Sequence, residues 1–196
     1  MILFVVCCML ADMQRYFKTI SDVERFLGSI KMLVCPVCGA RQTFVRHGYI
    51  YGWISPSEYG IRGWRIHCDP KSPYARGCGH APAVWLSARL LWRCFTADQL
   101  QLFFMALIDG MSVYAAWRSC FSFVSLRTAY RLNQRLHMCV SIWRTHLLSR
   151  APPPAGKKSA YPVLQHVFDH LQNTFSFHYA IKAYQEDVQR HFLSLV

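Results

Sequence analysis

The spacing of apolar side chains changes character twice along this chain. Between Gln14 and Lys31, Ile20, Val23, Phe26 and Leu27 recur at helical steps, which predicts a short amphipathic helix with one buried face and Gly28 as its stop. From residue 33 to 85 the period falls towards two. "TFVRHGYIYGW" and "IRGWRIHC" alternate between glycines and prolines and read as short β-strands. At Thr96 the helical period returns: Thr96 and Gln99 fit a capping box ahead of Leu100, Phe103, Phe104 and Leu107, and Asp109-Gly110 closes the helix. Ser112 is placed to cap a second, short helix burying Val113, Ala116 and Trp117. After the interruption "SCFSFV", Ser125 is placed to cap a third, with Ala129, Leu132, Leu136, Cys139, Trp143 and Leu147 as its apolar seam.

These periods predict an α+β chain. An N-terminal apolar segment and short amphipathic helix (1–32) precede a small β module (33–95). A helix-turn-helix-like domain (96–150) follows, then a Pro-rich linker (151–162) and a C-terminal helical segment (163–196). The linker rests on "RAPPPAGKKSAYP", because three consecutive prolines cannot continue a helix and the lysines keep the stretch solvated. The opening "MILFVVCCMLADMQ" has an apolar run too short to span a bilayer and lacks the basic start and small-residue cleavage site of a signal peptide. It reads as a buried N-terminal element, or as an upstream extension of a chain whose working start is Met13 or Met32.

Composition narrows the class. With 53% hydrophobic and only 16% charged residues, general disorder is excluded. The formal charge of +12 favours a polyanionic partner. It is concentrated in the middle: residues 35–95 carry eight Lys and Arg against two acids, and residues 96–150 six against two.

Nine cysteines, an odd number that includes a CxxC pair, point to a reducing compartment and to metal binding for four of them. Cys35 and Cys38 bracket a tight turn that aims two sulfurs at one spot, the first half of a tetrahedral structural zinc site. A redox CxxC would need a helix N-terminus in a βαβ pattern, which is missing. The second half is looser. Cys68 and Cys78 are separated by nine residues, with His67 and His80 as competitors and His80 the alternative to Cys78 as fourth ligand. Cys94, Cys120 and Cys139 sit in apolar helical contexts and read as small core residues, while Cys7 and Cys8 belong to the N-terminal run. His166 and His170 share a helix face, but without a third ligand they read as surface histidines.

The polar side of the third helix carries Arg127, Arg131 and Arg135 as one stripe, with Thr128 and Gln134 beside it. No acid balances the stripe between Asp109 and Asp169. Such residues can hold phosphates or read base edges. In the β module, Arg41, Arg46, Arg62, Arg65 and Arg76 are interleaved with Tyr49, Tyr51, Trp53, Trp64 and Tyr74. This gives either a second backbone-tracking surface, with stacking on single strands, or simply the module's core.

The pattern "CPVCG…VRHGYIYG…GWRIHC…GCGHAPAVW" followed by "ALIDGMSVYAAWRSCFSFVSLRTAYRLNQRL" resembles the zinc-ribbon plus helix-turn-helix region of bacterial insertion-sequence transposases and related mobile-element-associated proteins, over about residues 33–150. The resemblance implies a zinc ribbon with two cysteines in its second half, hence Cys68 and Cys78, and a partner in double-stranded DNA. A nuclease carrying three converging acids on two metals needs a domain larger than the tail after residue 150, whose only carboxylates are Asp169, Glu186 and Asp187, the last two adjacent. The expected protein is therefore a zinc-stabilised, sequence-specific double-stranded DNA-binding protein without catalysis, a transposition accessory or repressor. It would contact DNA through Arg127, Thr128, Arg131, Gln134, Arg135, Arg46, Arg62 and Arg65. It would be cytoplasmic and nucleoid-associated, with a transposase or a second copy as further partner and no membrane partner. The competing expectation is a zinc-ribbon protein–protein adaptor that does not touch DNA.

Overall fold

The computed structural model describes residues 14–55, 57–90, 95–121, 125–155, 162–175 and 179–195. The chain divides into two compact units, Met1–Arg89 and Leu90–Val196. Cys7, Cys8 and Cys94 lie outside the described residues, as do residues 122–124 of the interruption before the third predicted helix and residues 156–161 of the predicted linker. Together the units give the α+β class that the periodicity predicts, a four-stranded sheet with six helices among the described residues.

In the first unit, strand β1 (Arg15–Phe17) precedes helix α1 (Ile20–Ser29) and a 3₁₀ turn (Ile30–Met32). Long strands β2 (Phe44–Ser55) and β3 (Glu58–Cys68) and short β4 (Ala83–Leu86) follow. The sheet runs β1-β4-β3-β2, with only the β1–β4 pair parallel. Helix α1 opens on a capping box. Thr19 Oγ1 accepts from the Asp22 N–H at 3.1 Å, and the Asp22 carboxylate accepts from the Thr19 N–H at 3.2 Å. The Thr19 hydroxyl also bonds that carboxylate, which holds the Asp22 carboxyl below its ordinary range.

The expected stop at Gly28 does not occur. Gly28 keeps helical geometry on the solvent side, and the chain stays wound to Met32 because Ile30 must reach the same core as Val23 and Leu27. Ile20, expected on the buried face, is exposed, since that face centres on Val23, Leu27 and Ile30. These three pack with Phe44, Trp64, Ile66 and Val84, and two cysteines, Cys35 and Cys68, belong to the same core.

The β2–β3 hairpin is the longest feature of this unit. Its register shifts between Arg46 and Gly48, between Ile50 and Tyr51, and between Trp53 and Ser55, and each irregularity bends and twists the ribbon. Tyr49 faces Trp64, Tyr51 faces Ile61 and Trp53 faces Tyr59 across the strands. Cross-strand partners share a sheet face, so this row continues the face that α1 covers further back. Trp64 is buried there, whereas Tyr49, Tyr51, Trp53, Tyr59 and Ile61 are exposed. Of the aromatics expected either as core or as surface, only Trp64 is core, and Tyr74 is also exposed.

The second unit is helical: α2 (Ala97–Ile108), α3 (Val113–Cys120), α4 (Leu126–Leu148), α5 (Pro162–Thr174) and α6 (Ala180–Val188). Both halves of the Thr96–Gln99 box form, at 2.9 and 3.3 Å, and Ser112 Oγ accepts from the Ala115 N–H at 3.2 Å. Ser125 holds the cap position of α4, but its hydroxyl pairs with the Thr128 hydroxyl at 3.1 Å and not with a backbone N–H. The seam of α4 is buried throughout, from Ala129 to Leu147.

Residues after the prolines share the core of α2 to α4 through Leu164, Val167, Phe168, Leu171, Ile181, Tyr184, Phe192 and Leu193. His170, expected at the surface, is buried because its ring Nε2 lies 2.9 Å from the Ala151 carbonyl and pins the chain leaving α4 against α5. The closing turn is held by α4. Trp143 Nε1 donates to the Phe192 carbonyl at 2.7 Å, Arg135 Nε to that of Leu193 at 2.8 Å, and Cys139 Sγ to that of Ser194 at 3.7 Å. The Phe192 ring stacks on Trp143 with centroids 4.2 Å apart. Among the described residues no helix is long and apolar enough to cross a membrane.

One histidine makes this unit sensitive to pH. Burial, helped by the nearby Arg190 and Arg150 and opposed by Asp187, holds the His146 imidazole below its ordinary pKa. A depressed folded-state value means that the unfolded chain takes up the proton first, so stability is full above about pH 6.5 and falls as the pH drops below it. The denaturant midpoint of the helical unit is expected to be lower at pH 5.5 than at pH 7.5, and His146→Gln should shrink that difference. An equal drop in both proteins would place the sensitivity elsewhere.

Candidate metal centre

Two tight turns bring the cysteines together. In the first, Cys35 N–H bonds the Ala40 carbonyl at 2.9 Å, Gly39 N–H bonds the Cys35 carbonyl at 2.8 Å, and Val34 bridges Arg41. In the second, Cys68 N–H bonds the His80 carbonyl at 2.8 Å and Gly79 N–H bonds the Cys68 carbonyl at 3.0 Å. Gly39 and Gly79 take the matching place in the two turns, at φ +71° and +80°, where a side chain would be strained.

The nine residues between Cys68 and Cys78 are a closed excursion. Asp69 anchors both ends: its carbonyl accepts from Ser72 and Gly77, its carboxylate accepts from the Lys71 N–H at 2.9 Å, and its N–H bonds the Thr43 carbonyl. The chain thus leaves and re-enters at one point, and Cys78 arrives opposite Cys35.

The four sulfurs of Cys35, Cys38, Cys68 and Cys78 all lie within 4.8 Å of one another, a set able to hold a metal ion. Cys35 and Cys78 stand 3.7 Å apart and Cys38 and Cys68 3.8 Å, and none of the four is in a disulfide. Cys35 and Cys68 are buried, Cys38 and Cys78 exposed, so the cluster seals one end of the core. Burial pushes the Cys35 thiol up to about 12, while the Ala40 N–H draws that of Cys38 down to about 7. His80 lies outside the set and contributes its backbone carbonyl to the second turn. Sequence reasoning missed Thr43, whose buried hydroxyl sits 3.2 Å from Cys68 Sγ. A threonine beside a strand carries no signal of that role. Among the described residues this is the only group of three or more side chains close enough to share a metal.

The basic residues scatter more than their spacing suggests. Arg127, Arg131 and Gln134 are exposed on α4. Arg135 is half buried because its guanidinium turns back to the Leu193 carbonyl, and Thr128 is engaged with Ser125. On the hairpin Arg65 is exposed, and Arg46 pairs with Glu24 of α1 at 3.2 Å. Arg62 is buried, its stem occupying the space that a side chain at Gly52 would need. No protein-family model matches the chain, and neither a curated protein nor a solved structure is significantly similar to it.

Proposed function

We propose that the chain is a zinc-stabilised protein that binds double-stranded DNA sequence-specifically through α4, and that it serves a mobile element as transposition accessory or repressor. The zinc reading is supported by distance: sulfurs about 2.3 Å from a tetrahedral zinc are about 3.8 Å apart, Cys35–Cys78 and Cys38–Cys68 stand at 3.7 and 3.8 Å, and all four lie within 4.8 Å of one another. Four sulfurs leave no open position, so the ion staples the β unit and does no chemistry. The assignment to mobile elements rests on the resemblance in the ribbon and helical motifs.

The observation that carries the DNA reading is the outer face of α4. Arg127, Arg131 and Gln134 stand in solvent on the side opposite a fully buried seam, in a stretch without a single acid from Gly110 to Phe168. Helices α3 and α4 pack on each other, as the two helices of a helix-turn-helix do, with the later one presenting side chains to the major groove. Arg127 and Arg131 then supply phosphate or guanine contacts and Gln134 reads adenine. Arg135 and Arg62 are left out, the first because it holds the closing turn and the second because it is buried.

Binding to a site selected from random duplexes, measured over a salt series, tests this. The double variant Arg127→Ala/Arg131→Ala should lower the salt slope by about two units. Gln134→Ala should instead relax base choice at one position. An unchanged slope in the double variant would remove α4 as the DNA-facing element.

A further inference from the structure

We propose that the outer half of the β2–β3 hairpin binds unpaired DNA bases, a contact separate from the α4 row; the choice of DNA over RNA rests on the function proposed above. The face consists of Tyr49, Tyr51, Trp53 and Tyr59, between 52% and 62% exposed, with Ile61 beside them at 40%. It continues the apolar sheet face that α1 covers at Phe44, Ile66 and Trp64, and it runs on uncovered towards the turn. The rings are already grouped: Tyr49 meets Tyr51 at 6.1 Å and Trp53 meets Tyr59 at 5.5 Å, both edge to face. A contiguous apolar surface of this kind marks a binding site.

Three features choose the occupant. The exposed groups are almost all aromatic, and rings stack on bases whatever their sequence. Tyr49, Tyr51 and Trp53 alternate along one strand and therefore step about 6.7 Å, twice the 3.4 Å rise between bases of a duplex strand. Successive rings thus match a strand drawn out of its stack and not an intact duplex, whose base faces are hidden. The surroundings are cationic, with eight Lys and Arg against two acids over residues 35–95, and Glu58 at the turn is the one acid of the hairpin. A second copy docking face to face would set these like charges against each other, whereas a phosphate backbone neutralises them. Arg46, which shares this face with its cross-strand partner Ile66, is held only by an exposed pair with Glu24 that phosphate can displace.

The test is binding of the whole, metal-loaded chain to labelled oligo(dT) of about twelve nucleotides, a length within the usual range for such sites. The triple variant Tyr49→Ala/Tyr51→Ala/Trp53→Ala should lose at least about 100-fold in affinity for oligo(dT), since each stacked base contributes about 5- to 150-fold. Its duplex binding should be unchanged. The α4 double variant should show the reverse pattern, so failure of either proposal is seen by itself. Tyr49→Phe/Tyr51→Phe, which keeps the rings, should bind normally, and an unchanged metal content shows that the variants are folded. Equal binding of an abasic strand would reduce the contact to charge and overturn the proposal. Tighter binding of oligo(U) would overturn the choice of DNA. Self-association lost in the triple variant would assign the face to a second copy, and oligonucleotide binding gained only when the chain starts at Gln14 would assign it to residues 1–13.

Discussion

Cys35→Ser is expected to release the metal and unfold the β unit while the helical unit stays intact. Among the described residues the core that α1 covers is a cluster of nine buried side chains, and two of them, Cys35 and Cys68, are themselves in the sulfur cluster. Removing the ion therefore strips ligation and core packing together. Structural zinc contributes about 10–16 kcal/mol of apparent binding energy at neutral pH, as much as the whole stability of an ordinary domain. The indole signals of Trp64 and Trp85 should collapse, those of Trp117 and Trp143 should persist, and elemental analysis should fall from one metal per chain to none. Cys78→Ser should behave alike, and His80→Ala should keep its metal. A chain purified without chelator that carries no metal, or a His80 variant that loses it, would overturn the assignment.

Stopping the chain at Gln189 is the second change with a large expected effect. It removes Phe192 and Leu193, buried at 1% and 3% exposure. Losing a buried Phe costs about 3–5 kcal/mol and a buried Leu about 2–5. It also strands the Trp143 indole N–H, which donates to the Phe192 carbonyl, and removes the Phe192 N–H that bonds the Gln185 amide oxygen at 3.0 Å. The orphaned indole N–H adds about 1–3 kcal/mol. The total reaches the stability of a typical domain, so the helical unit should lose its cooperative unfolding transition altogether. A denaturant midpoint equal to that of the full chain would show the closing turn to be ornamental. Trp143→Phe, which keeps one aromatic ring but removes the donor and part of the buried indole, should shift the midpoint by a smaller amount.

Local signals were legible and distant ones were not. The Thr96 box, the α4 seam and the Cys35–Cys38 turn each depend on residues within a few positions of one another. The second half of the cysteine set, Cys68 and Cys78, is the exception: spacing left it open, the resemblance implied it, and the structure brings the two together because Asp69 folds nine residues back on themselves. Strand β1 is three residues long, too short for a periodicity, and exists because β4 lies beside it. Helical period showed which side of α4 points away from the seam, but not that Leu193 would be laid over part of that side and take Arg135 with it. The alternation in β2 looks the same whether a helix covers the face or stops short of it, so the exposed aromatics could not be told from core.

The parallel pairing of β1 with β4 sets the order in which the first unit can assemble. Arg15 and Val84 are partners across about 70 residues, and neither can be recruited until the hairpin between them offers an edge. A metal tying Cys35 to Cys78 removes most of that span and leaves a loop of about 30 residues to close. On a flexible-chain estimate this lowers the closure cost by about 0.8 kcal/mol. A metal held there would make the docking of β1 about four-fold more favourable, and during synthesis β1 has nothing to pair with until β4, about 70 residues later, has left the ribosome.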